Sequence, residues 1–389
     1  MIRKITPRNF LSFGPEFPGI ELRPLNVLIG ANGCGKSNLI EAVAFMRAAP
    51  KDFQEVTRRG GGVGEWIWKG QPHHDASVEW VLSYDEVDES GHPKTLSHYA
   101  AFFEDHHAFS LSEERIDEVD VTPVARLPYY QYKLGTYGTF YDGPQPEPLP
   151  VREEVDLSVL ALVRDPWSRA DLSLLAQDYE HMRIYREWVF GRDSKLRDSQ
   201  RADQRKDILA EDFSNLGLFL NRLQSRFPVA KRAIIENLKD LYEGVTDFNI
   251  SIDGGTVQIY FTEGDFSIPA TRLSDGTIRY LCLLAILCDP EPPPLICLEE
   301  PELGLHPDIL ANLAKLLLEA STRTQLIVTT HSEVLVDFMT ETPECVVVCS
   351  KEQGQTVMER LNADDLKVWL ERYRLGQLWS MGQIGGNRW

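Results

Sequence analysis

The sequence predicts an α/β protein with a mostly parallel sheet in its C-terminal part and a β-rich N-terminal part. Three observations predict it. A strand, a glycine-rich octapeptide and a helix follow one another between Leu22 and Met46. From Thr277 to Ser350 helices and strands alternate, which is the pattern that builds parallel sheets. Between these regions, Ser77–Tyr84 and His98–Phe109 read as antiparallel strands with alternating apolar and polar residues.

Arg3–Phe13 reads as the opening strand, and Leu22–Ile29 as a second that runs into Gly30. Asn38–Met46 follows as a helix, because Leu39, Ile40, Val43 and Ala44 recur at helical spacing. Gly60–Gly64 reads as a turn or loop. The four prolines of Pro144–Pro150 mark a linker. Beyond it the pattern turns helical, over Asp171–Trp188, Leu209–Arg226 and Val229–Tyr242, with Pro228 interrupting. These runs lack the sustained heptads of a long coiled coil. Strands return at Phe248–Ile252 and Thr256–Phe261. A helix at Thr277–Cys288, a strand at Pro294–Glu299, a helix at Pro307–Ala320 and strands at Gln325–Thr330 and Cys345–Ser350 complete the pattern. The chain thus divides into an N-terminal lobe (1–165), a short helical insertion (166–245) and a C-terminal lobe (246–389).

The length of 389 residues suits one large lobed domain or two. No run of about 18 apolar residues occurs, so no membrane span is expected. Met1–Pro7 lacks the apolar stretch of a signal peptide, and the expected location is the cytoplasm. Cysteines 34, 282, 288, 297, 345 and 349 show no metal-site spacing and read as reduced thiols. A net charge of −19 argues against a protein that coats DNA by bulk electrostatics. Locally, His181–Lys206 holds eight Lys/Arg against four acids. That segment is either a solvated face or a local contact for nucleic acid.

Gly30-Ala31-Asn32-Gly33-Cys34-Gly35-Lys36-Ser37 fits G-x-x-x-x-G-K-[ST], with a strand entering and a helix leaving. Backbone N–H groups from Asn32, Gly33, Cys34, Gly35 and on to Asn38 can wrap a phosphate at the helix N-terminus. Lys36 supplies a cation between the β- and γ-phosphates of ATP, and the Ser37 hydroxyl can ligate Mg²⁺.

Leu295–Glu300 is an apolar strand ending in two acids. Strand alternation lets Glu299 face the Mg²⁺ and Glu300 face the attacking water as its base. Leu273-Ser274-Asp275-Gly276-Thr277 opens a helix. Its hydroxyl and bare glycine backbone suit a γ-phosphate, or Ser274 or Asp275 simply caps the helix. His331 follows the apolar strand Leu326–Thr330 and can donate a hydrogen bond to a γ-phosphate.

Taken in order, these elements resemble the ABC-type ATPase heads of the SMC/RecF class. They are similar above all to stand-alone bacterial ATPases related to those of OLD-type and PARIS antiphage systems. The match lies in Gly30–Ser37, Leu273–Thr277, Glu299-Glu300-Pro301-Glu302, Gly304-Leu305-His306-Pro307 and Thr330-His331-Ser332. It is good over roughly 1–75 and 245–389 and poor between. The resemblance implies two protomers facing head to tail around two ATPs, with Ser274 of one completing the site built by Lys36 of the other. It implies a homodimer or higher homo-oligomer that hydrolyses ATP and controls a separate effector, a nuclease or toxin. A DNA-clamping repair or chromosome-maintenance ATPase is the alternative, and a transporter subunit is disfavoured by the large insertion. Glu299 stands where the family more often has Asp. Leu11 replaces a basic residue that some relatives use at the adenine side. Gln54 and Gln71 both compete for the Q-loop position.

Overall fold

The computed structural model describes residues 1–70, 74–87, 93–119, 128–141, 145–149, 156–163, 167, 169–191, 194, 196–197 and 200–386. From the N-terminus run strands β1 (Ile2–Arg8), β2 (Ile20–Glu21) and β3 (Leu25–Gly30), then helices α1 (Lys36–Arg47), α2 (Phe53–Arg59) and α3 (Val63–Trp66). Strands β4 (Ala76–Val87), β5 (Pro93–Asp105), β6 (Ala108–Glu118), β7 (Tyr130–Lys133), β8 (Thr139–Phe140) and β9 (Glu147–Pro148) follow. Helices α4 (Val159–Leu162) and α5 (Ala170–His181) lead to short strands β10 (Arg183–Tyr185) and β11 (Gln200–Arg201). Next come α6 (Leu216–Arg226), α7 (Pro228–Leu238), β12 (Val245–Asp253), β13 (Thr256–Glu263), β14 (Phe266–Pro269) and α8 (Asp275–Leu287). The chain closes with β15 (Leu295–Glu299), α9 (Leu310–Ala320), β16 (Gln325–Thr329), α10 (Glu333–Asp337), β17 (Val346–Glu352), β18 (Gln355–Arg360), α11 (Ala363–Leu370) and α12 (Leu375–Ser380).

Three sheets organise these elements. An antiparallel sheet of order β2-β1-β4-β5-β6-β7-β8-β9 forms the N-terminal lobe, and β11 to β14 make a smaller antiparallel sheet. The central sheet has the order β10-β15-β16-β3-β17-β18, parallel except for the antiparallel edge strand β18. Its strands read as continuous apolar runs because both faces are buried. Period-two alternation divides their side chains between two cores. Leu28, Leu295, Cys297, Ile327 and Val347 join the N-terminal sheet and α1 in one core. Val27, Ile29, Ile296, Leu298, Val328 and Val346 join α6 to α9 in the other. Helix α8 is buried along its whole length from Thr277 to Leu287, as its all-round apolar sequence requires.

The fold matches the expected α/β class and corrects several elements. Asp171–Trp188 is not one helix. Helix α5 stops at His181, and Arg183–Tyr185 turns into strand β10, which pairs in parallel with Ile296–Leu298. The segment between the two lobes therefore donates a strand to the central sheet as well as helices. Residues 209–215 are also non-helical, since α6 begins only at Leu216. Gly60–Gly64 is partly helical, with α3 starting at Val63. In the proline-rich stretch, Glu147–Pro148 pairs with Thr139–Phe140 as an edge strand, whereas Pro144 and Pro150 lie outside the described residues.

Candidate nucleotide site

The parallel register sets the site. Cys349 lies beside Gly30, and Glu299 and Leu28 flank Thr329. The phosphate loop, the Glu299-Glu300 pair and His331 thus converge beyond the carboxyl ends of β3, β15 and β16, where open α/β sheets place their ligands.

The loop leaves β3 at Gly30, φ 147°, and enters α1 through Gly35, φ 108°. A Cβ at Gly35 would lie 2.1 Å from Thr356 Oγ1 and 2.9 Å from Ser12 Oγ, so only glycine fits there. Gly35 also gives α1 no side-chain cap, which leaves the first-turn N–H groups to an outside acceptor. Lys36 is buried, and its ammonium donates to the carbonyls of Gly30 at 2.9 Å and Ala31 at 3.1 Å. Asn32, Gly33 and Ser37 are exposed around it. Ser37 Oγ donates to Glu299 Oε1, which places two hard oxygen ligands side by side. Among the described residues no group of three or more His, Cys, Asp or Glu side chains could hold a metal. A Mg²⁺ at Ser37 and Glu299 would therefore draw its other ligands from phosphate and water, as that ion commonly does.

Behind the loop stands a polar support that the sequence did not reveal. Asn38 Nδ2 donates to Ser12 Oγ at 2.6 Å, Ser12 Oγ shares a 2.6 Å hydrogen bond with Thr356 Oγ1, and Thr356 Oγ1 donates to the Cys34 carbonyl at 2.8 Å. Three separated segments thereby fix the loop's back. Cys34 is itself buried. A hydrogen bond from Cys349, and then the Lys36 charge, hold its thiol down at about 6 against the opposing effect of burial.

The two acids do not alternate along a strand as expected. Strand β15 ends at Glu299, and Glu300 adopts a left-handed φ of 47°, which is costly for a non-glycine residue. Its N–H donates to the Thr329 carbonyl at 3.0 Å, and its carboxylate lies 3.5 Å from His331 Nε2. Glu302 turns inward. Its Oε1 accepts from Thr330 Oγ1 at 2.6 Å and from the His331 N–H at 2.9 Å, and burial raises its pKa. It thus fixes the backbone that carries His331, a role no sequence motif announced.

Ser274 is exposed and caps α8, accepting from Thr277 N at 3.1 Å, so the capping reading of this loop holds within one protomer. A Cβ on Gly276 would meet the Gly304 carbonyl at 3.2 Å, which sets this loop against the turn at Gly304. Of the Q-loop candidates, Gln54 sits in α2 and donates to Asp156 at 3.3 Å, while Gln71 lies outside the described residues. Arg201 pairs with Asp203 and Arg205 with Asp207, while Arg197 is largely buried against residues 271–275. Each of these three arginines thus has an acidic partner close at hand.

The fold is the mixed α/β fold of SMC ATPase heads, in the P-loop ATPase-like class, and the site carries a phosphate loop at Gly30–Ser37. The chain belongs to the family described as "AAA domain, putative AbiEii toxin, Type IV TA system", whose model matches residues 25–77 and 109–337. It is similar in fold to a solved Smc head bound to the C-terminal winged-helix domain of ScpA, at 15% identity and a TM-score of 0.53, covering 94% of this chain and 99% of that one. It is similar also to an Smc head with an extended coiled coil bound to the C-terminal domain of ScpA, derived from Pyrococcus furiosus, at 15% identity and a TM-score of 0.55, covering 95% and 98%. No curated protein matches the chain. Among the described residues no helix is long and apolar enough to cross a membrane.

Proposed function

We propose that this protein is an ATP-hydrolysing switch that closes into a head-to-tail homodimer on ATP and opens after hydrolysis. The convergence of Lys36, Ser37, Glu299, Glu300 and His331 at one sheet edge carries this reading. The working division keeps an N-terminal lobe (1–165), an inserted segment (166–245) and a C-terminal lobe (246–389). The N–H groups of Asn32 to Asn38 bind the phosphates, and Lys36 compensates their charge. Ser37 and Glu299 would hold Mg²⁺, which would supply neutralisation of the charge that develops during phosphoryl transfer. Glu300 takes the proton of the attacking water, and His331 orients that carboxylate and senses the γ-phosphate. Ser274, exposed on one protomer, and Gly276, half-buried, complete the phosphate shell of the other.

The switch serves a separate effector, a nuclease or toxin of an antiphage system. Membership in a family described by a toxin of toxin–antitoxin systems supports this role. The ScpA domain seated on the similar Smc heads supports a partner protein docked on this head. A DNA clamp is the second reading; of the basic segment that suggests it, Arg201 and Arg205 are exposed and paired with neighbouring aspartates, and Arg197 faces Asp275.

The test is Glu300→Gln. This variant is expected to bind ATP, to stop hydrolysis and to accumulate as an ATP-dependent dimer in light scattering. Adding Ser274→Arg is expected to abolish that dimer. Wild-type turnover in Glu300→Gln removes Glu300 as the base. Tight ATP binding by a protein that stays monomeric at high concentration rejects the composite site.

A further inference from the structure

Trp188, Phe190 and Arg197 lie between Glu299 and the loop ahead of α8 and are unused by the mechanism above. Trp188 leaves β10 and donates its indole N–H to the Glu299 carbonyl at 2.7 Å. Two residues on, Phe190 gives its carbonyl to Arg197 Nε at 3.3 Å. Arg197 then reaches into the loop ahead of α8. Its guanidinium donates to the carbonyls of Thr271 and Leu273, the latter at 3.0 Å, and pairs with Asp275. One arginine thus ties down both sides of Ser274.

A second arginine closes the circuit from α8. Arg279 lies 4.8 Å over the Trp188 ring and 5.8 Å from the Phe190 ring, and donates to the Glu300 carbonyl at 3.1 Å. Its guanidinium is held between aromatic faces and a carbonyl, and burial lowers its pKa to about 10. Its Nε is buried and makes no hydrogen bond within the chain. The carbonyl that Arg279 holds belongs to the residue with the costly left-handed φ.

We propose that Trp188 and Arg197 form a strap that couples the Ser274 loop to the backbone of Glu300 within one protomer. They are positioning residues, and the strap rests on the composite-site reading. Contact of Ser274 and Gly276 with the γ-phosphate of the facing protomer shifts the loop. Through Arg197 and the Trp188–Arg279 stack that shift reaches the carbonyls of Glu299 and Glu300. Occupancy of one site thereby sets the geometry of the base in the other. Both terminal nitrogens of the Arg197 fork thus engage three polar groups around Ser274, the carbonyls of Thr271 and Leu273 and the carboxylate of Asp275, while its Nε holds Phe190.

The experiment uses the full chain as Arg197→Ala, Arg197→Lys and Trp188→Phe beside wild type. Binding of a fluorescent ATP analogue, melting temperature and steady-state turnover are measured at several protein concentrations. Arg197→Ala and Trp188→Phe are expected to bind nucleotide as wild type does and to lose kcat by about 2- to 30-fold with KM kept. Arg197→Lys, which keeps the charge without the fork, is expected to fall between. Unchanged kcat in both Arg197→Ala and Trp188→Phe overturns the strap, as does a loss of nucleotide binding in step with a loss of melting temperature. Failure of the composite-site reading is seen separately, in wild-type turnover that ignores protein concentration. That result removes the facing protomer and overturns the strap with it.

Discussion

Cys34 offers a direct reading of the electrostatics under the phosphate loop. Its thiol is 3% exposed, is hydrogen-bonded by Cys349 and lies 3.9 Å from Lys36 Nζ. These partners bring its pKa to about 6, against 9.0 for an unperturbed thiol. Burial pushes Cys288 and Cys297 up to about 12 and Cys345 up to about 11. Cys282, also through burial, and Cys349, mainly through its bond to Cys34, rise as well. The perturbation is labelling by a small alkyl thiosulfonate between pH 5 and 9, without nucleotide. Two effects oppose. At pH 7 the thiolate fraction is about 0.9 at a pKa of about 6 and about 0.01 at about 9, a gain of about 90-fold. Nucleophilicity falls with pKa at a Brønsted coefficient of about 0.45, a loss of about 20-fold across the same difference. The net advantage is only about 4-fold at pH 7 but about 35-fold at pH 5.5, so acid pH is where the effect is read. Burial scales every rate without moving the midpoint. Peptide mapping by mass spectrometry is expected to show Cys34 labelled with a midpoint near pH 6, suppression by ATP, and a higher midpoint in Cys349→Ala. A midpoint at or above about pH 8, or no label on Cys34 without nucleotide, refutes the reasoning.

Gly35→Ala is expected to weaken binding of a fluorescent ATP analogue by about 5- to 150-fold, because strain at φ 108° adds to a clash with Thr356. Gly33→Ala, with no atom within 4 Å of its added Cβ, is expected to cost less, and equal losses would contradict the steric argument. Arg222→Met breaks the buried pair with Asp289, and also the contact with Glu291, for about 3–5 kcal/mol. Over 389 residues that is about 4–6 °C in thermal melting at pH 7. Burial already raises the Asp289 pKa despite Arg222, and loss of the arginine raises it further. The folded variant then binds a proton more tightly than the unfolded chain, so its deficit is expected to shrink as pH falls through the carboxylate range. A deficit equal at pH 7 and pH 5 would contradict that.

The parts of the site that lie on long apolar elements were legible in the sequence. Leu25–Gly30, Leu295–Glu299 and α8 are rich in apolar residues, so the motifs at their ends stood out. Strand β10 was not legible. Its Arg-Ile-Tyr is too short to show a period, and its identity comes from pairing with Ile296–Leu298 more than a hundred residues away. The same holds for the supports. Thr356, Glu302 and Trp188 act through hydrogen bonds between segments distant in sequence, and no local pattern encodes those. Arg197, Arg201 and Arg205 read as a basic patch because their aspartate partners are neutralising only once side chains are placed.

Strand β3 sits between β16 and β17 in the middle of the central sheet. Its pairing partners begin about 300 residues after it, at Gln325 and Val346. At a synthesis rate of about 5–20 residues per second, a strand buried at every residue in the finished fold and carrying the phosphate loop waits about 15–60 s on the ribosome before either neighbour exists. Ile2 is likewise bonded at both its N–H and its carbonyl to the side chain of Gln325. A nascent or truncated chain therefore holds its nucleotide motif without a nucleotide site. The strand that carries the phosphate loop gains both of its sheet neighbours only once the C-terminal third has emerged.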